Sequence, residues 1–128
     1  MDFNKVKDSG ERRQFGTGAV RDMSSGKGRY DLISPLFLKR LAKHFENGAK
    51  KYGDRNWEKG IPLSSYLDSA MRHLGNYLEG LRDEDHLAAA AWNISCLIHM
   101  EEMIERELVP KELDNLPNYI KKENTKSI

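Results

Sequence analysis

The sequence predicts an all-α fold, a small helical bundle with an extended basic arm at its N-terminal end. The first observation is a pair of long helical segments joined by a short acidic turn at Arg82 and Asp83. Apolar residues in the first segment recur at three- and four-residue spacing, which places them on one face of a helix. They are Leu67, Ala70, Met71, Leu74, Tyr77, Leu78 and Leu81.

The second segment of the pair is apolar or small around nearly its whole circumference. Its residues of this kind are Leu87, Ala88, Ala89, Ala90, Ala91, Trp92, Ile94, Cys96, Leu97, Ile98 and Met100. A helix with this pattern is usually buried between other helices. His86, Asn93 and His99 lie on the same segment, and buried polar groups need partners. We therefore expect these three to bond to side chains, water or a ligand, which makes the segment a candidate site.

Cap residues predict a further helix before this pair, beginning at Ser34 and Pro35 and ending at Gly53. A serine hydroxyl can cap the first turn, proline suits the first helical position, and glycine commonly follows the last turn. A hydroxyl of Ser64 or Ser65 is expected to cap the next helix. The apolar face of the first helix is predicted to contain Leu38, Leu41, Ala42, Phe45, Ala49 and Tyr52.

The length of 128 residues fits one domain with a modest core. We divide it into an N-terminal arm (1–34), a helical core (35–108) and a C-terminal tail (109–128). Proline at the start of the tail breaks the helical pattern and predicts at most a short helix over 110–116. A charged end that frays is expected after it.

Charge and apolar content exclude several classes of function. A formal net charge of +1 is not typical of a protein that binds a nucleic-acid polymer. No apolar run is long enough to span a membrane. A single cysteine, Cys96, and the lack of a signal-like N-terminus predict a cytoplasmic protein. The nearly all-apolar second segment predicts a homo-oligomer, a dimer or larger, because one preceding helix cannot cover it.

The arm lacks helical periodicity and is rich in glycine and basic residues. Glycine lets a backbone approach closely, and basic side chains can meet an anion. Arg21, Lys27 and Arg29 are therefore candidate phosphate ligands, and Tyr30 is a candidate for stacking on a base. The alternative is a flexible terminal segment with scattered charges. Apolar residues such as Phe15 favour a short strand or an extended strap instead.

The polar turn over 53–62 carries further candidate ligands. Arg55 and Asn56 are natural partners of a phosphate or a base edge. Trp57 is suited to stacking on a base, although it could equally cover the end of the bundle. A histidine placed like His73, on the flank of an apolar face, is more often a packing residue. In its neutral form it could also accept a hydrogen bond or act as a base.

Carboxylates on or beside the helices are hard oxygen ligands that suit Mg²⁺ or Mn²⁺. The available ones are Glu46, Asp68, Glu79, Asp83, Glu84 and Asp85. If three of them converge near the basic arm, the expected reaction is hydrolysis of a phosphoanhydride. The alternative for Glu46 is an ordinary ion pair with Lys50 on a solvated flank. The pattern EExxE over Glu101–Glu105 is interpreted as solvated surface, because it lies at the outer end of its helix.

Four stretches of the sequence resemble a known family. They are GAVRD at 18–22, GKGRYDLI at 26–33, ENGAKKYGDRNW at 46–57 and LDSAMRHLGNYLEGLRDEDHLAAAAWN at 67–93. Together they resemble the phage-type family of dATP/dGTP diphosphohydrolases, N-terminal domain, over about Arg13 to Glu102. That family resembles the all-α, MazG-like nucleotide pyrophosphohydrolases, which act in a helical bundle as dimers or tetramers. The resemblance implies a purine deoxynucleotide substrate, a Mg²⁺ requirement and, for a phage-encoded chain, the host cytoplasm.

The hypothesis of a Mg²⁺-dependent nucleotide diphosphohydrolase assigns roles to individual residues. Lys27, Arg29 and Lys50 would meet phosphates, and His86 and Asn93 would bond to the sugar or base. MazG-like enzymes carry EExxE on one helix and ExxD on the next. Laid over this hairpin, the first motif falls near Asp68–Arg72, where only Asp68 is acidic, and the second falls near His86–Asn93, where alanines take the carboxylate positions. We therefore expect a different metal set with a bound water as the nucleophile. The catalytic residues expected are Glu46, Asp68 and Asp85, which also hold the metal, together with His73.

Two other interpretations follow from the departure from the MazG pattern. Arg72 lies where a carboxylate belongs, and a guanidinium there would repel a cation and attract a phosphate. This favours a protein that binds a nucleotide or a nucleotide-derived signal without hydrolysing it. The third interpretation is a structural helical protein in which His86, Asn93 and His99 only satisfy one another.

Overall fold

The computed structural model describes residues 3–120 and is mostly helical. Its long elements are the helices α1 (Pro35–Tyr52), α2 (Leu63–Leu78) and α3 (His86–Glu105). The short elements are the strands β1 (Arg12–Gln14) and β2 (Val20–Asp22) and 3-10 turns at Tyr30–Leu32, Asn56–Lys59 and Lys111–Leu113. The predicted all-α class is therefore confirmed. By its internal contacts the chain separates into two compact units, of which residues 3–33 and 34–120 are described. That the chain is one domain stays a prediction.

The N-terminal unit contains a small antiparallel hairpin, in which Arg12 of β1 faces Asp22 of β2. Its turn is closed by a hydrogen bond from the Gly18 amide to the Phe15 carbonyl, at 2.9 Å. The predicted short strand is confirmed. Asp22 accepts hydrogen bonds from the amide and hydroxyl of Ser9, and this bonding lowers its pKa to about 2.

Helix α1 begins and ends where the cap residues predicted. The Ser34 hydroxyl accepts a hydrogen bond from the Phe37 amide at 3.2 Å. At the other end, Gly53 has φ 93°, a backbone conformation that glycine adopts at little cost. Helix α1 packs on α3 and has no fully buried side chain, so its apolar face is only partly covered within this chain.

Helices α2 and α3 make the main packing contact of the bundle. The prediction that Ser64 or Ser65 caps α2 is wrong, because Pro62 occupies the cap position and has no side chain that can accept a hydrogen bond. The Ser64 amide instead donates to Oδ1 of Asn115 at 3.1 Å. A residue from the C-terminal segment thus supplies the acceptor that a local serine was expected to supply. Asp85 caps α3 by accepting from the Ala88 amide at 3.0 Å.

The core lies between α2 and α3, and its fully buried side chains are Leu63, Tyr66, Ala70, Ala88, Ala89, Ala90, Cys96 and Met100. The expected enclosure of α3 is confirmed for its alanine-rich half. The short predicted helix after Pro110 is confirmed as the 3-10 turn, and Leu113 and Leu116 pack against this core. The predicted charged tail falls partly on residues 121–128, which lie outside the described residues. In the described part of the chain, no helix is both long and apolar enough for a membrane span.

Candidate functional site

A cleft of about 980 Å³ opens beside the three helices of the C-terminal unit. Its lining residues come from helix α1, from the loop that follows it, from α2, and from Trp92 and Asn93 of α3. The side chains that line the cleft and can contact a ligand there are mostly polar or aromatic. They are His44, Phe45, Lys51, Tyr52, Asp54, Arg55, Asn56, Trp57, Ser65, Tyr66, Ser69, His73, Trp92 and Asn93.

Aromatic rings form much of the cleft wall and hold one another in place. Trp57 packs edge-on against His99, with ring centroids 4.8 Å apart, and against Phe45 at 5.8 Å. The Tyr66 hydroxyl donates a hydrogen bond to the Trp57 carbonyl at 2.8 Å, and burial raises the pKa of Tyr66. His99 is partly buried and packs against the Trp57 ring, and its expected hydrogen-bonding partner stays a prediction. The buried Trp92 indole nitrogen has no hydrogen-bond partner among the described residues.

The loop between α1 and α2 turns sharply because Arg55 has a left-handed backbone, with φ 58°. Its side chain pairs with Glu58 at 2.5 Å and is mostly exposed. On α3, Asn93 is only 6% exposed, and its Nδ2 donates to the Ala89 carbonyl at 2.9 Å. Arg55, Asn56, Trp57, His73 and Asn93, all predicted from sequence as site residues, therefore meet at one cleft.

Two histidines and two carboxylates form a connected group at the His73 side of the cleft. His86 is 3% exposed, so its expected burial is confirmed. Its Nδ1 lies 3.0 Å from Nδ1 of His73, and its Nε2 lies 2.8 Å from Oδ1 of Asp83. The hydrogen bond from His86 lowers the pKa of Asp83. Glu84 approaches the group as well, with Oε1 at 3.8 Å from Nδ1 of His73.

A third histidine lies nearby, on α1. His44 packs against Trp92 with ring centroids 5.3 Å apart and lines the cleft. Burial lowers its pKa, and the neighbouring His73 lowers it further, whereas Glu84 and Asp85 act in the opposite direction. His44 is therefore held in its neutral form near pH 7.

The three carboxylates predicted as metal ligands each have a cation of their own. Glu46 lies 3.3 Å from Lys43 and 3.7 Å from Lys50, and these lysines lower its pKa. Asp68 lies 3.3 Å from Arg72. The contacts of Glu46 match the alternative interpretation, in which this carboxylate forms a surface ion pair with Lys50 and does not bind a metal ion.

Asp85 is bonded twice to Arg40, and its pKa falls to about 2 because of these bonds. Within the described residues, Glu46, Asp68 and Asp85 neither line the cleft nor form a group of ligand atoms close enough to share an ion. Their assignment as metal ligands stays a prediction. It requires each carboxylate to exchange its present cation for a metal.

The remaining predicted nucleotide ligands are paired with carboxylates, buried or exposed. Lys50 and Arg72 pair with the carboxylates just described, and His86 is buried behind His73 rather than in the cleft lining. In the N-terminal unit, Lys27 lies 3.5 Å from Asp22, and Arg29 makes two bonds to Asp31. Arg21 and Tyr30 are exposed in that unit. The roles of all these residues stay predictions.

Sequence reasoning did not single out several residues of the site. Ser65 and Ser69 precede the predicted His73 at four-residue spacing, which places all three on one face of α2, and this pattern was a readable signal. His44 and Lys51 face the same cleft from α1, but nothing in the apolar pattern distinguishes them. Glu84 appeared only as one carboxylate among six.

Comparison with known proteins adds one decisive observation. Residues 17–108 match the family described as dATP/dGTP diphosphohydrolase, N-terminal. The chain belongs to this family. The resemblance found in the sequence is confirmed, and every residue that lines the cleft lies within the matched range. No curated protein and no solved structure matches the chain.

Proposed function

We propose that the chain is a nucleotide diphosphohydrolase that converts dGTP or dATP to the monophosphate and pyrophosphate. The observation that supports this proposal is the cleft itself. It is large enough for a nucleotide, is lined by aromatic and hydrogen-bonding side chains, and lies wholly within the range that defines the family.

The aromatic side of the cleft suits a base. Trp57 and Tyr52 present ring faces or edges to the cleft, and stacking of a base on an aromatic ring contributes about 1–3 kcal/mol. Asn93 lies at the floor, where its amide can read the edge of a purine. Purines offer the larger stacking surface, which agrees with the family description.

The charged side of the cleft suits a triphosphate. Lys51 and Arg55 line it, and the ion pair of Arg55 with Glu58 is exposed enough to be exchanged for a phosphate. Mg²⁺ is commonly held by one or two carboxylates together with substrate phosphates. Asp54 is the carboxylate of the cleft lining, so we propose that Mg²⁺ enters as part of the Mg-nucleotide substrate.

Binding without hydrolysis is the second candidate function. It is favoured by the cleft lining, which contains Asp54 but none of the three predicted metal ligands, and by the cation partners of Glu46, Asp68 and Asp85. The two functions differ in the fate of the nucleotide. A hydrolase releases pyrophosphate, whereas a binding protein returns the nucleotide unaltered after denaturation.

The test is incubation of the full chain with each of the four deoxynucleoside triphosphates and Mg²⁺, with products identified by mass spectrometry. We expect dGMP or dAMP with pyrophosphate, and loss of turnover in EDTA. Arg55→Ala should weaken nucleotide binding at least tenfold, whereas Arg106→Ala, an exposed arginine at the end of α3, should not. Tight binding with full recovery of triphosphate would support the second candidate, and absence of any binding would overturn both.

We also propose that the chain forms at least a dimer, as a cytoplasmic protein. Apolar side chains on one face of α2 stay exposed within the single chain, and so do two isoleucines of α3. They are Leu67, Met71, Leu74, Leu78, Ile94 and Ile98. Light scattering coupled to gel filtration tests this, with Leu74→Glu expected to shift the protein towards the monomer. A monomer at all concentrations would exclude the dimer.

A further inference from the structure

In the described part of the chain, His73 on α2 and His86 at the start of α3 bring two titratable side chains of different helices into direct contact. Their Nδ1 atoms lie 3.0 Å apart, and Glu84 Oε1 lies 3.8 Å from the first of them. The three ligand atoms all fall within 4.8 Å of one another. Among the described residues, these three side chains form the group of histidine, cysteine or acidic residues whose ligand atoms lie close enough together to bind one metal ion.

The hydrogen bonding of His86 prepares its Nδ1 to act as a ligand. Oδ1 of Asp83 lies 2.8 Å from Nε2 of His86 and accepts a hydrogen bond from its N–H, so the neutral ring carries a lone pair on Nδ1. A carboxylate on the far nitrogen is the usual support of a metal-bound histidine, since it fixes the tautomer and the ring orientation. The lone pair is directed at His73, whose own Nδ1 is the nearest polar atom.

The distances agree with one shared ion. Two ligand atoms at about 2.1 Å from a tetrahedral ion lie about 3.4 Å apart. The separations of 3.0 Å and 3.8 Å lie on either side of that value. A single proton shared between the two rings would also explain the shorter distance, and Glu84 would then only balance its charge.

We propose that His73, Glu84 and His86 bind one divalent transition-metal ion at the inner wall of the cleft, with Asp83 as the residue that positions His86. Two imidazoles and one carboxylate favour ions of the Zn²⁺, Co²⁺ or Ni²⁺ type over Mg²⁺ and Ca²⁺, which prefer oxygen ligands alone. Three protein ligands leave a coordination position open. Because His73 lines the cleft, that position lies beside the space proposed for the nucleotide.

This site is distinct from any Mg²⁺ that arrives with a nucleotide, and it does not depend on hydrolysis. The test therefore uses metal alone. The full chain is treated with EDTA, dialysed and titrated with Co²⁺, whose visible absorption becomes intense in a tetrahedral site and reports binding directly. We expect one Co²⁺ per chain, displaced by Zn²⁺, which binds such sites more tightly, and not displaced by excess Mg²⁺.

Variants identify the ligands. Glu84→Gln and His73→Gln should each weaken Co²⁺ binding at least about tenfold, and Asp83→Asn should weaken it by about 10–100-fold through loss of support for His86. Glu79→Gln is the matched control, because Glu79 is an exposed glutamate near the same end of α2. Circular dichroism of each variant shows whether the helices are retained. His86 itself is left unchanged because it is buried.

Two outcomes would overturn the proposal. One is the absence of stoichiometric Co²⁺ or Zn²⁺ binding by the folded wild-type chain, which means that the two rings share only a proton. The other is binding that survives both Glu84→Gln and His73→Gln. Neither outcome affects the nucleotide proposal, whose measurement is the release of monophosphate and pyrophosphate.

Discussion

Arg40 of α1 and Asp85 at the start of α3 form an ion pair with two hydrogen bonds, Nε to Oδ2 at 2.7 Å and Nη2 to Oδ1 at 2.5 Å. Asp85 also accepts a hydrogen bond from the Ala88 amide and so caps α3. One carboxylate thus ties α1 to α3 and satisfies a backbone donor of the helix that carries His86 and Asn93.

Asp85→Ala should lower the free energy of unfolding by about 1 kcal/mol or more, because it removes a helix cap together with the ion pair. Asp85→Asn should cost less, since asparagine caps helices well and only the charge is lost. Urea denaturation at neutral pH measures both. Asp68→Ala, which removes an exposed pair with Arg72, should stay within about 0.5 kcal/mol. Equal effects of all three changes would contradict the capping role.

The ion pair between Asp85 and Arg40 should make the stability of the fold depend on pH. Its two bonds to Arg40 lower the pKa of Asp85 to about 2, from an ordinary value of 3.8. Since the folded pKa lies below the unfolded one, the contribution is complete above about pH 4 and is lost as the pH falls towards 2. The stability difference between wild type and Asp85→Asn should therefore shrink over that range. A constant difference from pH 6 to pH 2.5 would show that Asp85 is not held by Arg40.

Tyr66→Phe tests the hydrogen bond that holds the aromatic wall of the cleft. The hydroxyl of this buried residue donates to the Trp57 carbonyl, and its removal leaves that carbonyl without its donor. We expect a loss of about 1–3 kcal/mol in the free energy of unfolding. Tyr77→Phe is the control, because Tyr77 is partly exposed and contacts Arg82 through its ring. A change at Tyr66 no larger than that at Tyr77 would show that the bond contributes little.

Intrinsic fluorescence should report occupancy of the cleft. The sequence contains two tryptophans, and Trp57 and Trp92 both line it. Stacking of a base near either indole should change the emission, so titration with dGTP should give a saturable signal. Trp57→Phe and Trp92→Phe separate the two contributions, and Trp57→Phe should lose the larger part. Binding detected by calorimetry without any change in fluorescence would place the nucleotide elsewhere.

Cys96 should resist thiol reagents while the chain is folded. It is fully buried, and burial raises its pKa to about 12, whereas the thiolate is the form that reacts. Labelling should therefore require unfolding and proceed about 10³-fold or more slowly than in denaturant. The control is labelling in concentrated urea, where one thiol per chain should react at once. Rapid labelling under native conditions would show that α3 is not enclosed.

Helix boundaries were predictable where local chemistry decides them. Ser34, Pro35 and Gly53 delimit α1 as expected, because caps act through hydrogen bonds between residues close in sequence. The prediction of a serine cap for α2 failed because a distant residue supplies the acceptor. Its first-turn donor is satisfied by Asn115, which lies 51 residues further along the chain and is invisible to a local pattern.

The sequence by itself determined the helical class, the enclosure of the alanine-rich helix and the family, since these depend on periodicity and on long motifs. Only the tertiary structure decided which polar groups share a site. It assigned Glu46, Asp68 and Asp85 to separate cations and brought His73, Glu84 and His86 together. The physical reason is that a carboxylate takes whichever cation or donor the packing of helices brings within about 3 Å, and that choice is made across the fold rather than along the chain.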